Sequence, residues 1–361
     1  MGPDSKSKAL LSSNRGSPEA SSECEGVQPR GRPLVSVLLP LFNGKLYLDA
    51  ALQSVLSQSY QHFEVIVIDD GSTDGSHELI QTYADPRIRL FRQSNQGLPA
   101  ALNRAIGLST GEYLARQDQD DVALPHRLER QVAFLNAHPS HAMVGTWAEI
   151  WVGNADSGRR HQHPTEDHIL KWELLFNNPF VHSSVMLRKS AVQQVGGYCT
   201  DTNRQPPEDY ELWSRLIRSF EAANIPECLQ IYREVKQSMS RAGENPFLTR
   251  LIRISAENLA WAAGKAEPDE AFFAIAALAN GAAEQVGPQF RVRLASRVLK
   301  AAARRLAGPS PNQQTQLRAR VAERLRALRH AYYTSHPSAA HRSLNLAHGL
   351  ASRLRRKLIR A

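Results

Sequence analysis

Short apolar runs closed by turn residues alternate with segments of helical spacing through the first third of the chain. Pro33 to Pro40 is apolar except for Ser36, the pattern of a strand buried on both faces of a mostly parallel sheet. Phe42-Asn43-Gly44 makes a turn, and Tyr47 to Gln58 carries apolar residues at helical spacing. Phe63 to Ile68 predicts the second strand. It runs into Asp69-Asp70-Gly71-Ser72-Thr73-Asp74-Gly75, turn and cap residues that open a helix over Ser76 to Tyr83. Arg87 to Arg92, Leu98 to Leu108 and Glu112 to Arg116 continue as strand, helix and strand. Such an alternation predicts an α/β fold built on a parallel sheet.

In open sheets of this class, ligands bind beyond the carboxyl ends of the strands. Three of the predicted strands end there in polar groups: Phe42-Asn43, Asp69-Asp70, and Gln117-Asp118-Gln119-Asp120-Asp121. The last holds three acids within four residues, ahead of Pro125 and the helical run His126 to Leu135. Carboxylate oxygens at a sheet edge suit Mg²⁺ or Mn²⁺, which keep positions open for water and substrate phosphates. The same acids would also serve as a solvated cap on the next helix. No G-x-G-x-x-G or Walker A motif follows the first strand, which argues against a dinucleotide enzyme and a P-loop NTPase.

Composition narrows the class. With 361 residues, 42% of them hydrophobic, the chain can bury one large core or two ordinary ones. No stretch approaches the roughly 20 apolar residues a membrane-spanning helix needs. Residues 1–32 are rich in Ser, Gly, Pro and charge, lack an apolar signal core, and read as a disordered tail. Cys24, Cys199 and Cys228 are scattered and odd in number, which fits neither a disulfide framework nor a zinc site and suits a cytoplasmic protein. The net charge of +9 is unevenly placed: from Arg241 onward there are 21 Lys and Arg against 7 Asp and Glu, and before it 23 against 28. An acidic body joined to a basic C-terminal part suggests two units with different tasks.

Several ordered motifs carry a resemblance. Val35-Ser36-Val37-Leu38-Leu39-Pro40-Leu41-Phe42-Asn43 is similar to V-S-V-I-x-P-x-Y-N, and Asp69-Asp70-Gly71-Ser72-Thr73-Asp74 to D-D-G-S-T-D. Asn95 to Glu112 resembles N-x-G-x-x-x-A-x-N-x-A-I-x-x-A-x-G-E, and Asp118 to Glu129 the D-x-D-D…P-x-R-L-E block. Asn178 to His182, Gly196-Gly197-Tyr198 and Pro207-Glu208-Asp209-Tyr210-Glu211-Leu212-Trp213 match an acceptor half. Together, over Pro33 to Leu216, they resemble a family 2 glycosyltransferase of the GT-A fold.

The resemblance implies a nucleotide-sugar donor, a divalent metal (Mn²⁺ or Mg²⁺) and transfer with inversion to an acceptor hydroxyl, in cell-surface polysaccharide or glycolipid synthesis. Phe42 stands where the family packs an aromatic on the donor base, and Asp70 where it accepts a base N–H. Pro40, Asn43 and Asn103 complete the implied donor set, with Asp118 near the ribose and diphosphate. Asp120 is the implied direct metal ligand, with Asp118 beside it. Asp121 would hold a coordinated water or cap the following helix. Arg116 would add positive charge near the phosphates, or form a surface salt bridge. Asp209, at the start of a helix predicted over Tyr210 to Phe220, is the implied general base. A carboxylate suits that task because the alcohol proton becomes acidic only as the new bond forms. Glu208 would orient the acceptor or cap the helix, and His182 lies near the expected acceptor site. Trp172 and Trp213 read as core. The Q-x-x-R-W motif of processive synthases is absent, so a synthase that extrudes its own product is not expected.

These readings divide the chain into a tail at 1–32, a catalytic domain at 33–240, closed by a strand at Cys228 to Arg233, and a helical, Arg-rich region at 241–361. There Val292, Leu294, Val298, Leu299 and Leu306 form one predicted face and Val321, Leu325 and Leu328 another, with breaks at Gly308-Pro309 and Pro337. Leu346, Leu350, Leu354 and Leu358 recur four apart among Arg353, Arg355, Arg356, Lys357 and Arg360. Such a basic amphipathic helix would lie on an anionic membrane surface, which suits a lipid-linked acceptor as well as a glycan, or pack on the body as a subdomain. Few aromatics and no recognised motif argue against nucleic acid. A nucleotidyltransferase would need a Gly-rich basic loop after the first strand, which Leu41 to Lys45 does not supply. A transferase-like binding protein would have lost its acids.

Overall fold

The computed structural model describes residues 32–235 and 247–337. Its elements run β1 Val35–Leu41, α1 Lys45–Leu56, β2 Phe63–Asp69, α2 Ser76–Gln81, β3 Ile88–Arg92, α3 Leu98–Leu108 and β4 Tyr113–Arg116. Next come β5 Val122–Ala123, α4 Arg127–Ala137, β6 His141–Val152, β7 Ala155–His161, α5 Asp167–Glu173, β8 Met186–Arg188 and α6 Lys189–Gln194. The order closes with α7 Glu208–Leu216, β9 Glu221–Glu234, α8 Leu248–Ala262, α9 Glu270–Ala279, α10 Val292–Ala307 and α11 Pro311–Ser335.

One nine-stranded sheet has the order β3-β2-β1-β4-β8-β6-β9-β5, with β7 paired to β6. Strands β1 to β4 are parallel, as their continuous apolar runs predict. The sheet then becomes mixed: β8 runs antiparallel to both β4 and β6, and β5 antiparallel to β9, while β6 and β9 pair in parallel. The expected strand at Cys228 to Arg233 is therefore only the far end of β9, and α7 begins at Glu208, two residues earlier than its apolar spacing suggests.

Period-two alternation explains the layers. Val35, Val37, Leu39 and Leu41 of β1 pack with Leu48, Leu52 and Val55 of α1 and Leu128, Val132 and Leu135 of α4. Leu38, Ile66, Ile68 and Leu114 turn to the opposite face, against Leu102 and Ile106 of α3 and Tyr210, Leu212 and Trp213 of α7. Covered on both faces, the parallel half leaves its carboxyl edge as the part open to a ligand.

The later helices build an apolar cluster that takes in part of the body. Ile169 and Trp172 of α5, with Leu175 and Phe176 just beyond it, share one apolar cluster with α8, α9, α10 and α11. Asn258 of α8 donates to the Leu174 carbonyl (2.9 Å) and to Ser214 Oγ (2.7 Å), fastening the same junction with polar bonds. Ala295, Val298, Leu299, Ala302 and Ala303 form the buried face of α10, whereas Leu294, expected on it, is 42% exposed. The boundary expected at 240/241 and the tail at 1–32, apart from Arg32, lie outside the described residues, as does the Leu346 to Leu358 stripe.

Trp172→Ala is expected to cost about 3–5 kcal/mol and to loosen α10 and α11 before the sheet. Denaturant titration measures the loss, and amide hydrogen exchange shows which helices open first.

Candidate active site

Beyond the carboxyl ends of β1 and β2, two turns are stitched together. Asn43 adopts the left-handed conformation (φ 48°); its N–H donates to Ser72 Oγ (3.0 Å) and its Oδ1 accepts from the Thr73 N–H (2.9 Å). The Gly44 and Lys45 N–H groups donate to Ser76 Oγ (3.1 Å) and Asp74 Oδ2 (3.0 Å). Asp69 is fully buried, accepts from the Ser72 N–H (2.8 Å), and faces His77 (2.9 Å) and Arg92 (3.2 Å). Asp70, also buried, accepts from Gln93 Nε2 (2.7 Å) and from the N–H groups of Gln96 (2.9 Å) and Gly97 (2.8 Å), fixing the turn that enters α3. Pro40 lies inside β1 opposite Ile68.

Phe42 stands out from this edge, 45% exposed. Its N–H donates to Gln119 Oε1 (2.8 Å) and its carbonyl accepts from Gln119 Nε2 (3.0 Å), so a single amide joins the aromatic turn to the acid loop. A Cβ on Gly44 would come within 2.4 Å of the Gln119 side chain, so a larger residue there would displace the amide that joins the two turns.

The acid loop leaves β4 from a buried polar centre. Arg127, 1% exposed at the first turn of α4, donates to Gln131 Oε1 (3.1 Å), Gln117 Oε1 (2.9 Å), Gln230 Oε1 (3.0 Å) and the carbonyls of Arg116 (2.6 Å) and Val185 (3.4 Å). All five of its donors meet neutral oxygens. Burial works against its charge, yet a guanidinium stays protonated in proteins. Gln117 Nε2 donates to the carbonyls of Asp118 (3.1 Å) and Asp121 (2.8 Å), which sets the loop's curvature.

Arg116 is 1% exposed and pairs with Asp118. The salt bridge expected at the surface thus has a buried cation, because β4 is covered on both faces, and a partly exposed carboxylate. Asp121 is buried, accepting from Ser183 Oγ and from the Arg233 N–H (2.7 Å). It anchors the loop to β9 and does not cap α4, whose N-cap is His126. Arg233 holds the Asp120 carbonyl (2.7 Å) and lies over the Tyr47 ring, 4.5 Å from its centroid. Asp120 is the least engaged acid, with no hydrogen bond beyond one from its own backbone. Burial and the neighbouring Asp118 raise it to about 6.

Among the described residues, no group of three or more His, Cys, Asp or Glu side chains is arranged to hold a metal ion. What the loop offers is a pair, Asp118 and Asp120, whose mutual repulsion a cation would relieve. One or two carboxylates plus substrate phosphates is the usual protein share of an Mg²⁺-type site.

On the acceptor side, α7 presents Glu208 and Asp209 in its first turn. Asp209 accepts from the Tyr210 N–H (2.6 Å) and from Asn178 Nδ2 (2.7 Å). Burial raises it to about 6, with Asp118 raising it further and Arg116 opposing. Burial and then Asp209 raise Glu208 to about 7. His182 meets Tyr198 Oη through Nε2 (2.9 Å) and lies 3.7 Å from Glu208 through Nδ1; burial, then Arg116, hold it well below the usual imidazole range. Asn103 is turned to this side as well. Its amide donates to the Tyr198 carbonyl (2.8 Å) and accepts from the Tyr198 N–H (2.8 Å), so it clamps the Tyr198 turn from the position where the resemblance implies a donor-binding residue. Arg116 therefore acts on acids from both halves. Gln117, Gln119, Arg127, Arg233 and Tyr198 are the residues sequence reasoning left without a role.

The sequence model described as Glycosyl transferase family 2 matches residues 36–196. An uncharacterized glycosyltransferase of Haemophilus influenzae is 42% identical over 226 residues, 62% of this chain and 81% of that protein. The O-antigen biosynthesis glycosyltransferase WbnJ of Escherichia coli is 31% identical over 215 residues, 58% of this chain and 83% of that protein. The crystal structure of S. aureus TarS 1-349 in complex with UDP-GlcNAc shares the fold, with a TM-score of 0.55 at 17% identity over 84% of this chain and 92% of that one.

Arg127→Lys offers three donors to five oxygens, so two of them lose this partner, at about 1–3 kcal/mol for each left without another donor. The variant is expected to melt clearly below the wild type in a calorimetric scan despite keeping the charge.

Proposed function

The chain belongs to glycosyl transferase family 2, and we propose that it moves a sugar from a nucleoside diphosphate donor to an acceptor hydroxyl with inversion, Asp209 acting as general base. One juxtaposition carries the reading: Asp118 of the donor loop lies close enough to Asp209 of the acceptor helix to push its carboxyl up, and the buried Arg116 pairs with the first and opposes that rise in the second. Donor phosphate and acceptor hydroxyl would meet between them.

On this reading the exposed ring of Phe42 packs on the donor base, and the Asp70 turn shapes its edge. Asp118 and Asp120 would hold a divalent cation, which supplies charge neutralisation for the departing diphosphate. Asn178 and the α7 backbone orient the Asp209 carboxylate, and Glu208 keeps a second carboxyl beside it for the acceptor. Asp209 would take the acceptor proton as oxygen attacks the anomeric carbon from the face opposite the leaving group. A single displacement with one base inverts that centre. The named role of the E. coli relative supports a glycan or lipid-linked glycan as acceptor, in surface polysaccharide synthesis.

A thermal-shift screen of UDP, GDP, dTDP and CDP with and without Mn²⁺ is expected to show stabilisation by one of them, dependent on metal. Asp120→Asn should abolish that shift. Asp209→Asn should keep it, yet lower release of the nucleoside diphosphate from the donor by on the order of 10²–10⁴. Full turnover in Asp209→Asn would remove that residue from the role.

The base works unprotonated. With Asp209 at about 6 and Glu208 at about 7, kcat/KM is expected to climb with pH through this range and level off above it. A profile that stays flat there would contradict a carboxylate base in this environment.

A further inference from the structure

The basic part of the chain carries a second feature, unconnected with transfer chemistry. Helices α10 and α11 bound a groove of about 700 Å³. Its floor is apolar, with Ala303, Val321 and Leu325 among the lining residues, and its walls carry Lys300, Arg304, Arg318, Arg326 and Arg329. No acidic side chain lines it.

Three cations of these helices turn away from the groove. Arg320 and Arg324 turn to the body, where Glu173 meets them at 2.5 and 3.4 Å and Arg324 lies 4.1 Å from the Phe176 ring centroid. Arg305 lies over Trp261, 5.6 Å from its ring centroid. Among the described residues, none of the five groove cations has an ion pair. An unneutralised ring of cations above apolar carbon matches an amphiphile with an anionic head.

We propose that this groove takes an anionic phospholipid at a membrane surface, the phosphate on the arginines and an acyl chain along Val321 and Leu325. Charge decides against the chain's own C-terminal segment as occupant: residues 338–361 carry six Lys and Arg and no Asp or Glu, the same sign as the walls. Single-stranded nucleic acid fits less well, because no aromatic lines the groove for base stacking. No described helix is long and apolar enough to cross a bilayer, so the contact would be peripheral, of the kind that combines buried apolar area with attraction to anionic lipid.

The test is flotation of the full chain with phosphatidylcholine vesicles, with and without phosphatidylglycerol. Binding is expected only with the anionic lipid. Each cation near such a surface contributes about 1 kcal/mol, a factor of about five in partitioning. The variant R318Q/R326Q, both exposed positions, should therefore bind about thirty-fold more weakly while melting as the wild type does. Equal binding to neutral vesicles would overturn the proposal. So would wild-type binding by R318Q/R326Q, which would assign the contact to residues 338–361. If inorganic phosphate displaces the protein from vesicles as completely as the double substitution does, the groove is a simple anion site and not a lipid site. Preference for a single-stranded RNA oligomer over the anionic vesicles would refute it as well.

Discussion

A guanidinium without a carboxylate of its own holds this molecule's sheet to its chemistry. Arg127 meets three glutamine side chains and two main-chain carbonyls, and those five oxygens come from α4, the end of β4, the residue before β8, and β9. Removing a cation from water is costly unless every donor is matched, so the partners specify one another's places. The bond to the Arg116 carbonyl lies where the chain leaves β4 for the acid loop. It is also where the sheet passes from parallel to antiparallel pairing. From that point the order propagates outward: Gln117 shapes the loop, Arg116 faces Asp118, and Asp121 reaches across to β9.

The parallel half was legible because it obeys simple rules. Continuous apolar runs gave β1, β2 and β4, and α3 falls at Leu98–Leu108 as its spacing predicts. The acids were legible as a cluster, but their separate environments were not. Asp70, Asp120 and Asp121 look alike in sequence; one is bound by backbone N–H groups, one is nearly bare and one is buried against Ser183 and β9. Such differences depend on partners 23 to 113 residues away, which no local pattern reports. Gln119 sat in plain view as the variable letter of its motif. Its part appears only when the β1 turn comes beside it. The β6 and β7 ribbon escaped notice because His141 to His161 mixes charged, aromatic and small residues without a clean period.

The later helices show a related limit. Their composition set them apart from the sheet; their apolar faces close over one another and over α5, and two of the cations facing the body are answered by Glu173. What composition does report is the sign of the charge left over. Helices that bury alanine and leucine inward while carrying unanswered arginine outward are stable on the body and remain attractive to anions. The fold thus separates the two requirements by face rather than by domain.

The reciprocal amide between Gln119 and Phe42 has a geometric consequence. Because both hydrogen bonds run between one side chain and one residue's backbone, the aromatic ring and the carboxylates of the acid loop cannot drift apart independently. On the proposed reading these are the two ends of one ligand site, the base at the ring and the diphosphate at the acids, so a single amide side chain keeps both ends of that site in register.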